Sequence, residues 1–181
     1  MRMDAPGTCH GITLVELLAT TAILAIVAAL AAPGMKALLE RQRTASALHA
    51  LTTRLALART AAITSRTPVT FCPSRGDGHC TGGTDWSSGW LVYRDPQRRS
   101  QPRGPGDILR NEVAPVHGSI RILSSSGRVR VRYQPAGLAP GANLTFRICH
   151  GDRLHAEVVV NNGGRARSRE APKGTPCMAG P

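Results

Sequence analysis

Three arginines, Arg165, Arg167 and Arg169, follow the pair Gly163-Gly164 and recur at every second position. In an extended backbone alternate side chains share a face, so this spacing sets three guanidinium groups in a row on one side. A guanidinium forks onto phosphate or carboxylate oxygens through parallel N–H donors, and a row of them suits a polyanion. Lys173 carries the basic strip toward the C-terminus. The glycines make a turn whose backbone lets Arg165 and Arg167 approach phosphates. A plainer reading makes "NNGGR" a hairpin loop and the arginines a solvated edge that discourages strand pairing. Gly164-Arg165-Ala166-Arg167 is also not unique, because Gly127-Arg128-Val129-Arg130 repeats its G-R-x-R spacing.

Composition bears on the partner. The 181 residues carry a formal charge of +12, and of the 23 basic residues only Lys36 and Lys173 are lysine. A GC-rich genome enriches arginine without any function, and an anionic partner selects it for its forked donors. Aromatic residues make up 3% of the chain, too few for a surface that stacks unpaired bases. The backbone phosphates of double-stranded DNA are the better match, with contacts indifferent to sequence.

The cysteines are Cys9, Cys72, Cys80, Cys149 and Cys177. The last four allow three pairings. Cys72 with Cys80 and Cys149 with Cys177 is the expected one, since each bridge then closes a local loop. The longer loop contributes about 3 kcal/mol in the chain-entropy account. His79 beside Cys80 and His150 beside Cys149 leave a zinc set open. The spacings Cys72-x7-Cys80 and Cys149-x27-Cys177 match no common zinc motif, however, and no metal is expected. Trp86 and Trp90 are read as core fillers in preference to a ligand platform. No nucleophile motif, phosphate-cradling glycine loop or paired carboxylates stand out, so neither an enzyme nor a cofactor is expected.

These side chains need elements to position them. At the N-terminus "GITLVELLATTAILAIVAALAAPG" is apolar for long enough to span a bilayer, with Glu16 as its one charge. A carboxylate at the edge of such a run calls for a partner. Cleavage after "ALA" near Ala31 would make the run a signal peptide, retention of the whole would make it an anchor, and cleavage after Gly11 would make residues 1–11 a leader. Pro33 would kink a helix at residues 12–33. Residues 34–66 then form an amphipathic helix with Leu48, Leu51, Leu55, Ala58 and Ala62 on its apolar side and Arg41, Arg43, Arg54 and Arg59 on the other.

After Pro68 the chain changes to short β-type runs: "VTFC", "GWLVYRD", "ILRNEVA", "SIRIL", "VRVRYQ", "LTFRIC" and "HAEVVV". Alternation in "VRVRY" predicts Val129, Val131 and Tyr133 facing the core, with Arg128, Arg130 and Arg132 outward. "PQRRSQPRGPG" reads as a mobile loop. The fold class is α+β, a long N-terminal helix followed by an antiparallel β domain over residues 67–181.

"GITLVEL" resembles the signal of type IV pilins and pseudopilins, in which a prepilin peptidase cleaves after the glycine and methylates the new amino terminus. That resemblance makes Gly11 the last leader residue and Ile12 the methylated N-terminus. It also gives Glu16 an assembly role, pairing with the α-amino group of a neighbouring subunit; Ile12 replaces the family's usual Phe. Loss of the leader would also remove Cys9. "ALARTAAITSRTPVTFCPS", "DWSSGWLVYRD", "YQPAGLA", "LTFRIC" and the late "GGRAR" resemble the GspH/FimT family of minor pilins and pseudopilins.

The resemblance implies a type IV pilin-like fold and a single inner-membrane pass with a periplasmic globular domain. It also implies assembly with major and minor pilins, near the tip of a pilus. Gly164-Arg165-Ala166-Arg167 resembles the GRxR signature of FimT-type pilins that bind DNA in natural transformation, which implicates Gly164, Arg165 and Arg167, with Arg169 and Lys173 extending the strip. The alternative within the family is a GspH-like pseudopilin of a type II secretion system, which starts or caps a pseudopilus. Outside it stands a secreted β domain with a cleaved signal.

Overall fold

The computed structural model describes residues 11–113 and 115–177, without the side chains of residues 32 and 33. The expected leader, apart from Gly11, lies outside the described residues. By contacts the chain divides into two compact units, Met1–Leu39 and Glu40–Pro181.

In the first unit helix α1 begins; it runs Leu14–Ser65. The Thr13 hydroxyl accepts the Glu16 backbone N–H at 3.2 Å, an N-terminal cap on the first turn. The Glu16 carboxylate sits in that first turn, where the helix dipole favours negative charge. Leu14–Ala31 has a mean hydropathy of 2.3, and none of it is buried within the protein. That is long and apolar enough to cross a membrane.

Among its described residues the second unit holds the remainder of α1 and eight strands: β1 (Val69–Pro73), β2 (Gly89–Arg94), β3 (Ile108–Val113), β4 (Ile120–Ser124), β5 (Val131–Tyr133), β6 (Leu144–His150), β7 (Arg153–Val160) and β8 (Ala166–Glu170). Every β-type run in the sequence forms a strand, and β8 is the extended arginine-rich stretch after the glycine turn. The strands make two antiparallel sheets, ordered β3-β2-β1-β5 and β4-β6-β7-β8.

Both sheets and the helix share one core. Ala47, Leu51, Leu55, Ala58 and Ala62 are buried, so the apolar stripe of the helix is as expected except that Ala47 takes the deep position and Leu48 packs at the margin. Trp86 bridges the sheets, its ring centroid 5.1 Å from Phe71 on β1 and 4.9 Å from Phe146 on β6. Trp90 is equally buried, and its indole N–H donates to the Trp86 carbonyl at 2.7 Å. Both tryptophans therefore fill the core.

The structure joins Cys72 to Cys80 and Cys149 to Cys177, with Cα separations of 5.6 and 5.9 Å. The second bridge fastens the segment after β8 to β6. With these sulfurs oxidised, no thiolate is left at those positions to ligate zinc.

Two expectations about exposed arginines change. Arg132 alternates with buried Val131 and Tyr133 as expected but is half-buried and engaged: its Nε donates to the buried Asp95 carboxylate at 2.8 Å and its terminal nitrogen to the Arg99 carbonyl at 3.0 Å. The reason is register, since Thr70↔Arg132 pairing on β1 and β5 sets Arg132 beside Thr70, which itself donates to Asp95. Val129 precedes β5 and is only half-buried. Arg54, placed by periodicity on the outer side of the helix, forms an ion pair with Glu112 on β3. The Pro/Arg-rich loop is tied down as well: the Arg99 N–H donates to Asp95, and Gln101 exchanges hydrogen bonds with both backbone groups of Cys80.

Candidate nucleic-acid interface

The basic turn hangs between two paired strands. β7 and β8 register Val160↔Ala166, Val159↔Arg167, Val158↔Ser168 and Glu157↔Arg169. Val158 and Val160 point into the core, so Arg167 and Arg169 fall on the opposite face, as the every-second-residue spacing predicts.

The turn closes with the Gly164 N–H donating to the Asn161 carbonyl at 2.9 Å, while the Asn161 side-chain oxygen accepts the Arg165 N–H at 3.3 Å. The two glycines are not equivalent. Gly164 has φ of +70° and is buried, and a Cβ built there would collide with the Gly137 carbonyl and crowd the Tyr133 ring. Gly163 has an ordinary φ, and a Cβ there would meet only the Asn161 side chain, at 3.3 Å.

Four further hydrogen bonds hold the turn and the loop beside it. The Asn162 carbonyl accepts the Ala139 N–H at 3.0 Å and its side-chain oxygen accepts the Gly141 N–H at 2.8 Å. From the helix, Arg59 donates to the Gly137 carbonyl at 3.0 Å and to the Gly163 carbonyl at 3.3 Å. The glycine turn is thus pinned from both sides.

Arg165 and Arg167 border a groove of about 510 Å³ between the turn and the helix, with His49 and Arg59 on the helical wall. Both arginines are exposed, and among the described residues neither guanidinium has a carboxylate or hydrogen-bonding partner. Tyr133 also lines the groove, and its buried hydroxyl has no hydrogen-bonding partner among the described residues. Burial pushes the Tyr133 phenol well above its ordinary range, with Arg59 pulling weakly the other way. It therefore keeps its proton and remains a donor. Three cationic heads around one groove, with no acid among the described residues that line it, can receive phosphate oxygens.

Arg169 is a different case. Its guanidinium binds the nearly buried Glu157 carboxylate through Nε at 2.7 Å and a terminal nitrogen at 2.5 Å, and Arg147 of β6 holds the other carboxylate oxygen at 3.3 Å. Glu157 on the adjacent strand thus claims the third arginine of the row. Lys173 is exposed beyond β8 and does not line the groove. Arg59 and His49 escaped the sequence reading, which placed Arg59 on the solvent side of the helix. Periodicity shows that Arg59 adjoins the buried Ala58, but not which loop it meets.

Gly11 and Ile12 precede the helix and are exposed, as is Glu16. The family profile described as "Type II transport protein GspH" matches residues 47–164, and that of the "Prokaryotic N-terminal methylation motif" matches residues 7–32. Among solved structures, the chain is similar to the type IV minor pilin FimU of Pseudomonas aeruginosa strain PAO1, with a TM-score of 0.58 and 18% identity over 77% of this chain and 96% of that one. A second crystal form of FimU gives a TM-score of 0.47 at 16% identity, covering 71% of this chain and 93% of the other. No curated protein sequence matches the chain.

Proposed function

The chain belongs to the GspH family of minor pilins and pseudopilins, and from that premise we propose that it is a type IV minor pilin that binds extracellular double-stranded DNA for uptake in natural transformation. Leu14–Ala31 anchors it in the inner membrane, with the globular unit in the periplasm. After prepilin peptidase cuts behind Gly11 and methylates Ile12, Glu16 receives the α-amino group of a neighbouring pilin, and the chain joins the filament near its tip. One observation supports DNA binding above the others: the unpaired heads of Arg165 and Arg167 stand on a turn fixed by Gly164, Arg59 and Asn162, beside a groove without acids.

Each guanidinium takes a backbone phosphate, with Arg59 lending charge from behind. Fixing the turn in advance lowers the entropy lost on binding. Contacts of this type position the duplex without reading its bases. Arg169, engaged with Glu157, contributes to the field around the strip and not to a phosphate clamp.

The matched family's description as a type II transport protein favours a second reading, a pseudopilin that starts or caps the pseudopilus of a secretion system. The test is duplex binding by the full chain in nonionic detergent. Salt-dependent binding that weakens with Arg165→Ala and Arg167→Ala supports DNA uptake, and absence of binding at low salt favours secretion.

A further inference from the structure

The second G-R-x-R is not a loose copy of the first. Gly127, Arg128, Val129 and Arg130 lead into β5 and line a separate cavity of about 340 Å³, together with Arg98 and Arg132. Arg132 is neutralised by Asp95 at 2.8 Å. Arg98, Arg128 and Arg130 have no carboxylate or hydrogen-bonding partner for their guanidinium groups among the described residues, and no acid lines the cavity.

Three unpaired arginines lining one concavity raise its positive potential, which a bound anion would offset. The cavity is also built. Asp95 is buried and gathers its parts: it accepts from Thr70 at 2.8 Å, from Arg132 at 2.8 Å and from the Arg99 N–H at 2.6 Å, while its carbonyl accepts the Arg98 N–H at 3.2 Å. Arg98 has φ of +54°, an uncommon conformation for a residue with a side chain. Between the lining residues Pro140 and Ala142, Gly141 has φ of +73°, and the Arg128 guanidinium lies against it.

We propose that this cavity is a second anion site, distinct from the β7–β8 turn, which takes a compact oxyanion of two or more negative charges, a phosphate or pyrophosphate group. A concavity of this volume fits a free anion or the terminal phosphate of a strand better than the convex backbone of a duplex. The inference does not depend on duplex binding at Arg165 and Arg167.

Calorimetric titration of the full chain in nonionic detergent with inorganic pyrophosphate at low salt tests it. Saturable binding at one site is expected, weakened at least about tenfold by Arg128→Gln with Arg130→Gln and unchanged by Arg165→Gln with Arg167→Gln. Arg98→Ala, a single exposed loop substitution, supplies an independent loss should the double variant unfold. Competition with a short duplex identifies the source: preferential displacement by 5′-phosphorylated over dephosphorylated ends marks a strand terminus, and equal displacement marks the free anion. No saturable binding, or equal losses in the two arginine pairs, would overturn the proposal.

Discussion

Charge in the arginine row is divided by a single acid. Glu157 faces Arg169 across the β7–β8 ladder and is nearly buried, so it holds that head while Arg165 and Arg167 stay free. Arg169→Ala should lower stability by about 1 kcal/mol, because Arg147 still serves Glu157 and the lost pair is partly exposed. The same substitution should leave the salt slope of DNA binding almost unchanged. Thermal melting together with binding at several salt concentrations measures both. A slope reduced as far as by Arg165→Ala would show that Arg169 releases Glu157 to take a phosphate. Register decides this assignment, and register cannot be read from the spacing of arginines alone.

At the scale of elements, the β7–β8 turn depends on one glycine of its pair. Gly164→Ala places a Cβ at positive φ against the Gly137 carbonyl and should cost on the order of 2 kcal/mol. It should also weaken DNA binding by displacing Arg165. Gly163→Ala should be close to neutral in both respects, and equal effects in denaturant melts would mean that the turn is less constrained than its hydrogen bonds imply. In the helical element, cleavage after Gly11 should give a mature chain starting at Ile12, and Glu16→Ala should impair assembly more than membrane insertion. Intact mass measures the first, and a chain starting at Ala32 would contradict it.

Much of this architecture was legible in the sequence: periodicity marked the helix stripe, short β-type runs between turn residues marked seven strands, and local loop closure suggested the cysteine pairing. What stayed hidden depends on which elements meet. The division of the strands into two sheets, Asp95 gathering Arg132 and the Arg98 loop, and Arg59 reaching the glycine turn all join residues far apart in the chain. The pinned loop near Gln101 was read as mobile because its proline, glycine and arginine content carries no sign of the Cys80 contacts.

At the scale of the whole molecule, a formal charge of +12 draws the protein to any polyanion, so affinity for DNA by itself separates the two functional readings poorly from general basicity. The two arginine clusters make the distinction more demanding, since Arg128 and Arg130 line a cavity of their own and cannot serve as a neutral comparison. Arg75 and Arg103, exposed on other loops, can. The decisive measurement is the affinity of the full chain for duplex DNA over a series of salt concentrations. Each phosphate neutralised adds about 0.9 to the slope of log affinity against log salt. Arg165→Ala with Arg167→Ala should therefore reduce the slope by roughly 1.8 without altering sequence preference, and Arg75→Ala with Arg103→Ala should reduce it by less than about half as much. Equal reductions in the two pairs, or no binding by the unsubstituted chain at low salt, would contradict the account.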